Sequence, residues 1–117
     1  MAFFFNKSER LLKRSEFIRL SRSGKRVRNN VFIGNYLPGK TTKCRLGITV
    51  TKKVGCAVTR NRIKRLVREY FRTRRSTIKG TWDINIIARK AAAESVSEKL
   101  FPALQRIFDE ISNNERD

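Results

Sequence analysis

The sequence predicts an α/β (α+β) two-layer sandwich, a small single domain in which helices cover one sheet. Its 117 residues suffice for one core, and a second would leave each half near the lower limit for independent folding. Apolar residues recur with period two in some runs and with helical spacing in others, giving the order α-β-β(-β)-α-β-α. No internal repeat or low-complexity linker interrupts that order, and a sheet covered by helices is the layered arrangement that fits it.

Ser15 to Gly24 reads as the first helix. Ser15 suits an N-cap, Glu16 the positive end of the helix dipole, and Gly24 the left-handed conformation that ends many helices. Arg26 to Arg28 and Val31 to Leu37 look extended, being rich in β-branched and aromatic residues, and Pro38 to Lys43 is a loop. Arg45 to Thr51 alternates as a strand does, and Trp82 to Arg89 has the composition of a largely buried one.

Between these strands lies a basic helix. On a helical wheel Ile63, Leu66, Val67, Tyr70 and Phe71 share one face, with Asn61, Arg65, Arg68 and Arg72 opposite and Lys64 and Arg75 at one side. Val96, Leu100, Leu104, Ile107, Phe108 and Ile111 mark a terminal helix, which either begins near residue 100 or kinks at Pro102. The domain is expected to span 1–117, with residues 1–9 disordered and 113–117 a frayed tail.

The charge is what points to a partner. Lys and Arg number 28 against 10 Asp and Glu, a net +18 with a pI near 11.3. Residues 52–75 hold ten of the cations and a single acid, Glu69, which puts half of the net charge in one element. Residues 94–117 are net acidic and should face away from whatever that element binds. Such a domain repels itself and calls for a polyanion, nucleic acid before an anionic membrane surface. No run approaches the ~20 apolar residues of a spanning helix, and Met1 to Asn6 is too short an apolar run for a secretory signal, so cytoplasmic residence without membrane contact is expected. With no histidine and no C-x-x-C pair, the usual zinc or copper ligands are missing, and Cys44 and Cys56 read as free, buried or half-buried thiols.

A solvated helix face normally mixes charge signs, because like charges at helical spacing destabilise. Here Glu69 alone opposes nine cations over 53–75, so the face reads as an anion-binding one. Arg60 and Arg62 fall in the expected first turn, where free backbone N–H groups and the dipole favour phosphate, with Thr59 or the preceding loop as cap. Asn61 adds an acceptor that arginine lacks, able to hold a hydrated Mg²⁺ or a ribose hydroxyl; its alternative role is to satisfy backbone N–H groups at the helix start. Tyr70 and Phe71 belong to the packed stripe, whereas Phe17 fits a core position and base stacking equally well.

Lys52-Lys53-Val54-Gly55, followed by Ala57 through Glu69 with Arg60-Asn61-Arg62 in its first half, closely resembles the signature of the bacterial ribonuclease P protein family. Those proteins are small basic subunits that assist a catalytic RNA in removing 5′ leaders from precursor tRNAs. The resemblance extends to Arg10-Leu11, Phe17 and Gly24, to Arg45 through Ile48, and to Asp83-Ile84 with Ala88-Arg89-Lys90. It implies a left-handed βαβ crossover around the basic helix, where the general expectation is right-handed. It also implies two RNA surfaces. One faces the catalytic RNA and falls here on Lys52, Lys53, Arg60, Asn61, Arg62, Lys64, Arg65, Arg68 and Arg72. The other is a cleft between the sheet and the first helix that takes the single-stranded leader, with Phe17 matching one of its aromatics. Ser21 and Asn35 stand where some relatives carry further aromatics, with Tyr36 adjacent and Phe32 nearby, so this cleft should lean on hydrogen bonds and charge.

A protein-only nuclease would need several carboxylates to hold two metals, or a histidine for acid-base work. Glu69 stands alone beside the basic helix, and Asp83 starts a strand with no evident partner. The chemistry is therefore expected in the RNA of an endonucleolytic holoenzyme, with Mg²⁺ bound mainly by that RNA. No catalytic residue falls on the protein, Asn61 offers at most a water-mediated metal contact, and no protein partner is required. The competing reading is a non-enzymatic RNA-binding protein, such as a ribosomal protein, which the same charge would explain.

Overall fold

Four strands join in one sheet of order β1-β2-β4-β3, built from β1 (Lys25–Arg28), β2 (Phe32–Pro38), β3 (Arg45–Thr49) and β4 (Trp82–Ala88). The helices are α1 (Arg14–Ser23), α2 (Ala57–Arg74), α3 (Lys90–Glu94) and α4 (Ser97–Asn113), with 3₁₀ turns at Lys7–Glu9 and Arg75–Thr77. This computed structural model describes residues 7–113. The pairs β1-β2 and β2-β4 are antiparallel, whereas β3 and β4 run parallel and are connected through α2.

Register decides which side chains meet. Gly34 lies opposite Ile86 and Tyr36 opposite Ile84, while Leu46 and Ile48 pair with the same two isoleucines, so all share one face of the sheet. That face is the core side. Phe32, Tyr36, Leu46, Ile84 and Ile86 are buried there under Ile63, Val67, Tyr70 and Phe71 of α2 and Leu104, Ile107, Phe108 and Ile111 of α4. Burying each such side chain contributes about 1.5–3 kcal/mol. Tyr70 stacks on Phe108 at 5.4 Å, which ties α2 to α4. A Cβ on Gly34 would lie 2.8 Å from Ile107 Cγ2, so the missing side chain is what lets α4 approach β2.

Several boundaries differ from the sequence reading. The first helix starts at Arg14, after Lys13, whose backbone N–H donates to Glu16 Oε1 at 3.4 Å; Ser15 is inside the helix and does not cap it. Gly24 has φ −74°, not left-handed; it is glycine because a Cβ there would meet the Leu20 carbonyl oxygen at 2.4 Å. Of the expected disordered start, Glu9 is buried and paired with Arg75 at 2.6 Å, and residues 1–6 lie outside the described residues. The terminal helix begins at Ser97, so Pro102 is inside it, exposed near the start, where it removes one backbone hydrogen bond. Val96 falls before that helix and is exposed rather than part of its stripe. Helix α4 continues to Asn113, and residues 114–117 of the expected tail lie outside the described residues.

Candidate nucleic-acid interface

Helix α2 begins two residues before Thr59. Cys56 is its extended N-cap, and the Arg60 N–H already donates to the Cys56 carbonyl at 2.9 Å. Arg60 and Arg62 are therefore past the first turn, and the unbonded N–H groups at the helix start belong to Ala57, Val58 and Thr59. Asn61, Arg65 and Arg68 are exposed, as are Lys52 and Lys53 in the turn closed by the Val54 N–H and the Thr51 carbonyl. Lys64 and Arg62 are half-buried, and Arg62 donates to Ser97 Oγ at 3.3 Å. Arg72 is half-buried and pairs with Glu69 one turn back, so its charge is partly neutralised within the helix.

Arg60 is the anomaly. Its side chain is half-buried, and its Nε is enclosed without a hydrogen-bond acceptor among the described residues. A buried donor left unmade costs about 1–3 kcal/mol, more when charged.

The second face of the sheet carries the residues that alternate with the core set: Arg26, Arg28, Ile33, Asn35, Arg45, Gly47, Thr49, Asp83, Asn85 and Ile87. Helix α1 crosses one end of it and is held by charge. Arg45 grips buried Asp83 through both carboxylate oxygens at 2.9 and 2.8 Å and reaches Glu16 of α1 at 2.5 Å, while Arg19 of α1 lies 3.4 Å from Asp83. Partial burial opposes ionisation of Glu16, but the Lys13 N–H and the Arg45 guanidinium outweigh it and hold the carboxyl below its ordinary range. The Asp83 carboxylate conversely pushes Arg45 further up, so this cation stays charged. Asp83 thus has partners, contrary to the sequence reading, and is structural. Beyond α1 the face is open: Arg26 and Arg28 are exposed and Ile33 and Ile87 half-buried. Beneath them Arg26 Nε donates to Asn35 Oδ1 at 3.0 Å and Thr49 Oγ1 to Asn85 Oδ1 at 3.2 Å.

The expected leader residues separate across the sheet. Phe32 and Tyr36 project into the core, fully buried, with Tyr36 edge-on to Trp82 at 5.4 Å, so neither can line the cleft. Asn35 is on the open face but buried beneath Arg26; Ser21 is exposed on α1; Phe17 lies over Gly47, where a Cβ would meet its ring at 2.4 Å. The physical reason is the two-residue period of a strand, which forbids Asn35 and Tyr36 from sharing a face. Cys44 is half-buried, its thiol pushed up by burial, whereas Cys56 is exposed, against expectation, its thiol pulled down by the Thr59 hydroxyl. Among the described residues no helix is long and apolar enough to cross a membrane, and no three His, Cys, Asp or Glu side chains gather as a metal site.

The family model for Ribonuclease P matches residues 5–112. The chain belongs to the ribonuclease P protein family. It is 48% identical over 115 residues to the ribonuclease P protein component of Desulfatibacillum aliphaticivorans, covering 98% of each chain, and 50% identical over 110 residues to that of Desulforapulum autotrophicum, covering 94% of each. The RNase P protein of Staphylococcus aureus superposes with a TM-score of 0.82 at 34% identity, over 88% of this chain and 94% of that one. The RNase P protein of Thermotoga maritima gives 0.81 at 33% identity, over 88% and 97%. The sandwich is therefore that of ribonuclease P proteins, and tRNA processing takes the place of the ribosomal-protein reading.

In this ribonuclease P fold the basic helix and the open sheet face are continuous. A groove of about 170 Å³ runs between them, lined by Phe17 of α1, Gly47 of β3, Lys64 and Arg68 of α2, and Arg10 from the segment paired with Leu46. The sequence reading passed over Arg10, Arg26 and Arg28 as site residues. The alternation of β1 and β2 carries the signal for the last two, because it sets them on the face with Asn35.

Proposed function

We propose that this chain is the cytoplasmic protein subunit of a ribonucleoprotein ribonuclease P, docking on a catalytic RNA through α2 and holding the precursor tRNA 5′ leader on the open sheet face. The observation that carries this reading is the cationic surface of Arg60, Asn61, Arg62, Lys64, Arg65 and Arg68, joined to that face by the Phe17 groove. Lys52 and Lys53 extend the same charge into the preceding turn. Four of the acids around this surface are committed, Asp83 and Glu16 to Arg45, Glu9 to Arg75 and Glu69 to Arg72, whereas Glu98 is exposed at its edge beside Ser97. The protein's work is then to neutralise phosphate, accept the leader so that precursor is preferred to product, and leave hydrolysis of the phosphodiester to the RNA.

Mg²⁺ enters only through that RNA. Asn61 is one neutral acceptor among Arg60, Arg62 and Arg65, and like charge keeps a bare dication away from it. Its amide oxygen would suit a water on a metal bound by the RNA, and such a metal would supply charge neutralisation at the scissile bond. The test is the salt dependence of binding to the cognate RNA. Arg65→Ala or Arg68→Ala should weaken binding and reduce the slope of log K against log salt by roughly one each. An unchanged slope in both variants would refute α2 as the docking helix.

A further inference from the structure

Arg62, at the edge of the cationic surface, is tied by its bond to Ser97 to the start of α4. Beside that bond lies a shallow groove of about 380 Å³, walled by Leu66 of α2 and by Ser97, Glu98 and Phe101 of α4. Its lining is apolar except at Glu98 and Ser97, and its walls belong to two helices packed on each other. Phe101 is half-buried and packs edge-on against the Tyr70 ring, 5.6 Å between centroids at 76°. On α2, Val58, Arg62 and Leu66 follow one another at four-residue spacing along a single stripe, Val58 being 78% exposed.

We propose that this groove receives one unpaired nucleobase of the RNA that docks on α2. The inference rests on the proposed function, since α2 must first face RNA. Three features select this occupant over a protein segment. The groove is continuous with the cationic surface, so a strand whose phosphates lie on Arg62 and Arg65 carries its bases along the groove's rim. An aromatic ring beside an aliphatic wall is the surface on which unstacked bases settle in RNA-binding proteins. At the lip, the exposed Glu98 carboxylate is an acceptor for a base amino or imino N–H, and Arg62, bonded to the neighbouring Ser97, stands beside it to take a phosphate of the same strand. The base pocket and the phosphate contacts would act together: the arginines supply affinity, and Phe101 selects a position where a base can be turned out of its stack.

The experiment uses the full chain with in vitro transcribed cognate ribonuclease P RNA. Phe101→Leu keeps the groove apolar and removes the ring. It should weaken RNA binding roughly 5- to 150-fold, the size of one lost stacked base, while leaving the salt slope unchanged because no phosphate contact is lost. Ultraviolet crosslinking of the wild-type complex should join Phe101 to a single nucleotide, a readout that stands even if Phe101→Leu folds poorly. Wild-type affinity in a folded Phe101→Leu chain, or crosslinks that spare Phe101, would overturn the pocket while leaving α2 docking intact. A chain that loses self-association in Phe101→Leu but keeps its RNA affinity would show a second copy in the groove instead. Failure of the wild-type chain to bind the RNA at all would sink both readings together.

Discussion

Gly47 sets the distance between Phe17 and the sheet. A Cβ at this position would stand 2.4 Å from Phe17 Cε1, too close for the ring to remain, and 3.2 Å from Leu11 Cδ1, a tight contact. Gly47→Ala should therefore displace the Phe17 ring, with its helix still pinned by Arg45. We expect leader affinity to fall by about 1–3 kcal/mol, the worth of one stacked base, while binding of the catalytic RNA through α2 stays near wild type. Titration of a precursor with and without its leader separates the two effects; equal loss for both substrates would remove Phe17 from the leader surface. The sequence left Phe17 between core and binding roles, and the structure shows why. Its ring is half-buried on the outer face of the sheet, packed on one side and open on the other. Asn61 was legible as an outward residue because its neighbours alternate so clearly between packed and charged positions.

Helix α1 is held by a clamp whose partners are far apart in sequence. Glu16 reaches Arg45 on β3, and Arg45 reaches Asp83 on β4, so no local pattern could reveal the set. Sequence periodicity did place the strands and helices, and it fixed the packed stripe of α2 almost residue for residue. The error over Phe32 and Tyr36 came from treating β2 as a cluster of nearby aromatics instead of an alternating strand. The clamp has a pH signature. Because the folded Glu16 carboxyl lies below its ordinary value of 4.5, its contribution is present above that pH and is lost as pH falls through the lower, folded value. On acidification below about 4.5 the α1 clamp should loosen before the core melts, seen as a shift of the Phe17 ring resonances by NMR. Glu16→Gln should abolish that titration. An identical titration in the variant would assign it to another group.

At the scale of the molecule, charge and core occupy different sides. The acids of α4, including Glu98, Asp109 and Glu110, are exposed away from most of the cations, and their segment is net negative where the chain as a whole is +18. This polarity was readable from composition by segment, and it orients the domain toward RNA before any contact forms. The short helix α3 and the two 3₁₀ turns were not readable, since none is long enough to show a period. On the proposed function, the protein's part is to position RNA, and the cleavage belongs to the RNA. The most direct measurement is cleavage of a precursor tRNA by the cognate RNA at limiting Mg²⁺, with and without the chain. The account predicts that adding the chain restores cleavage and tightens precursor over mature tRNA; equal rates and equal affinities with and without it would contradict the account.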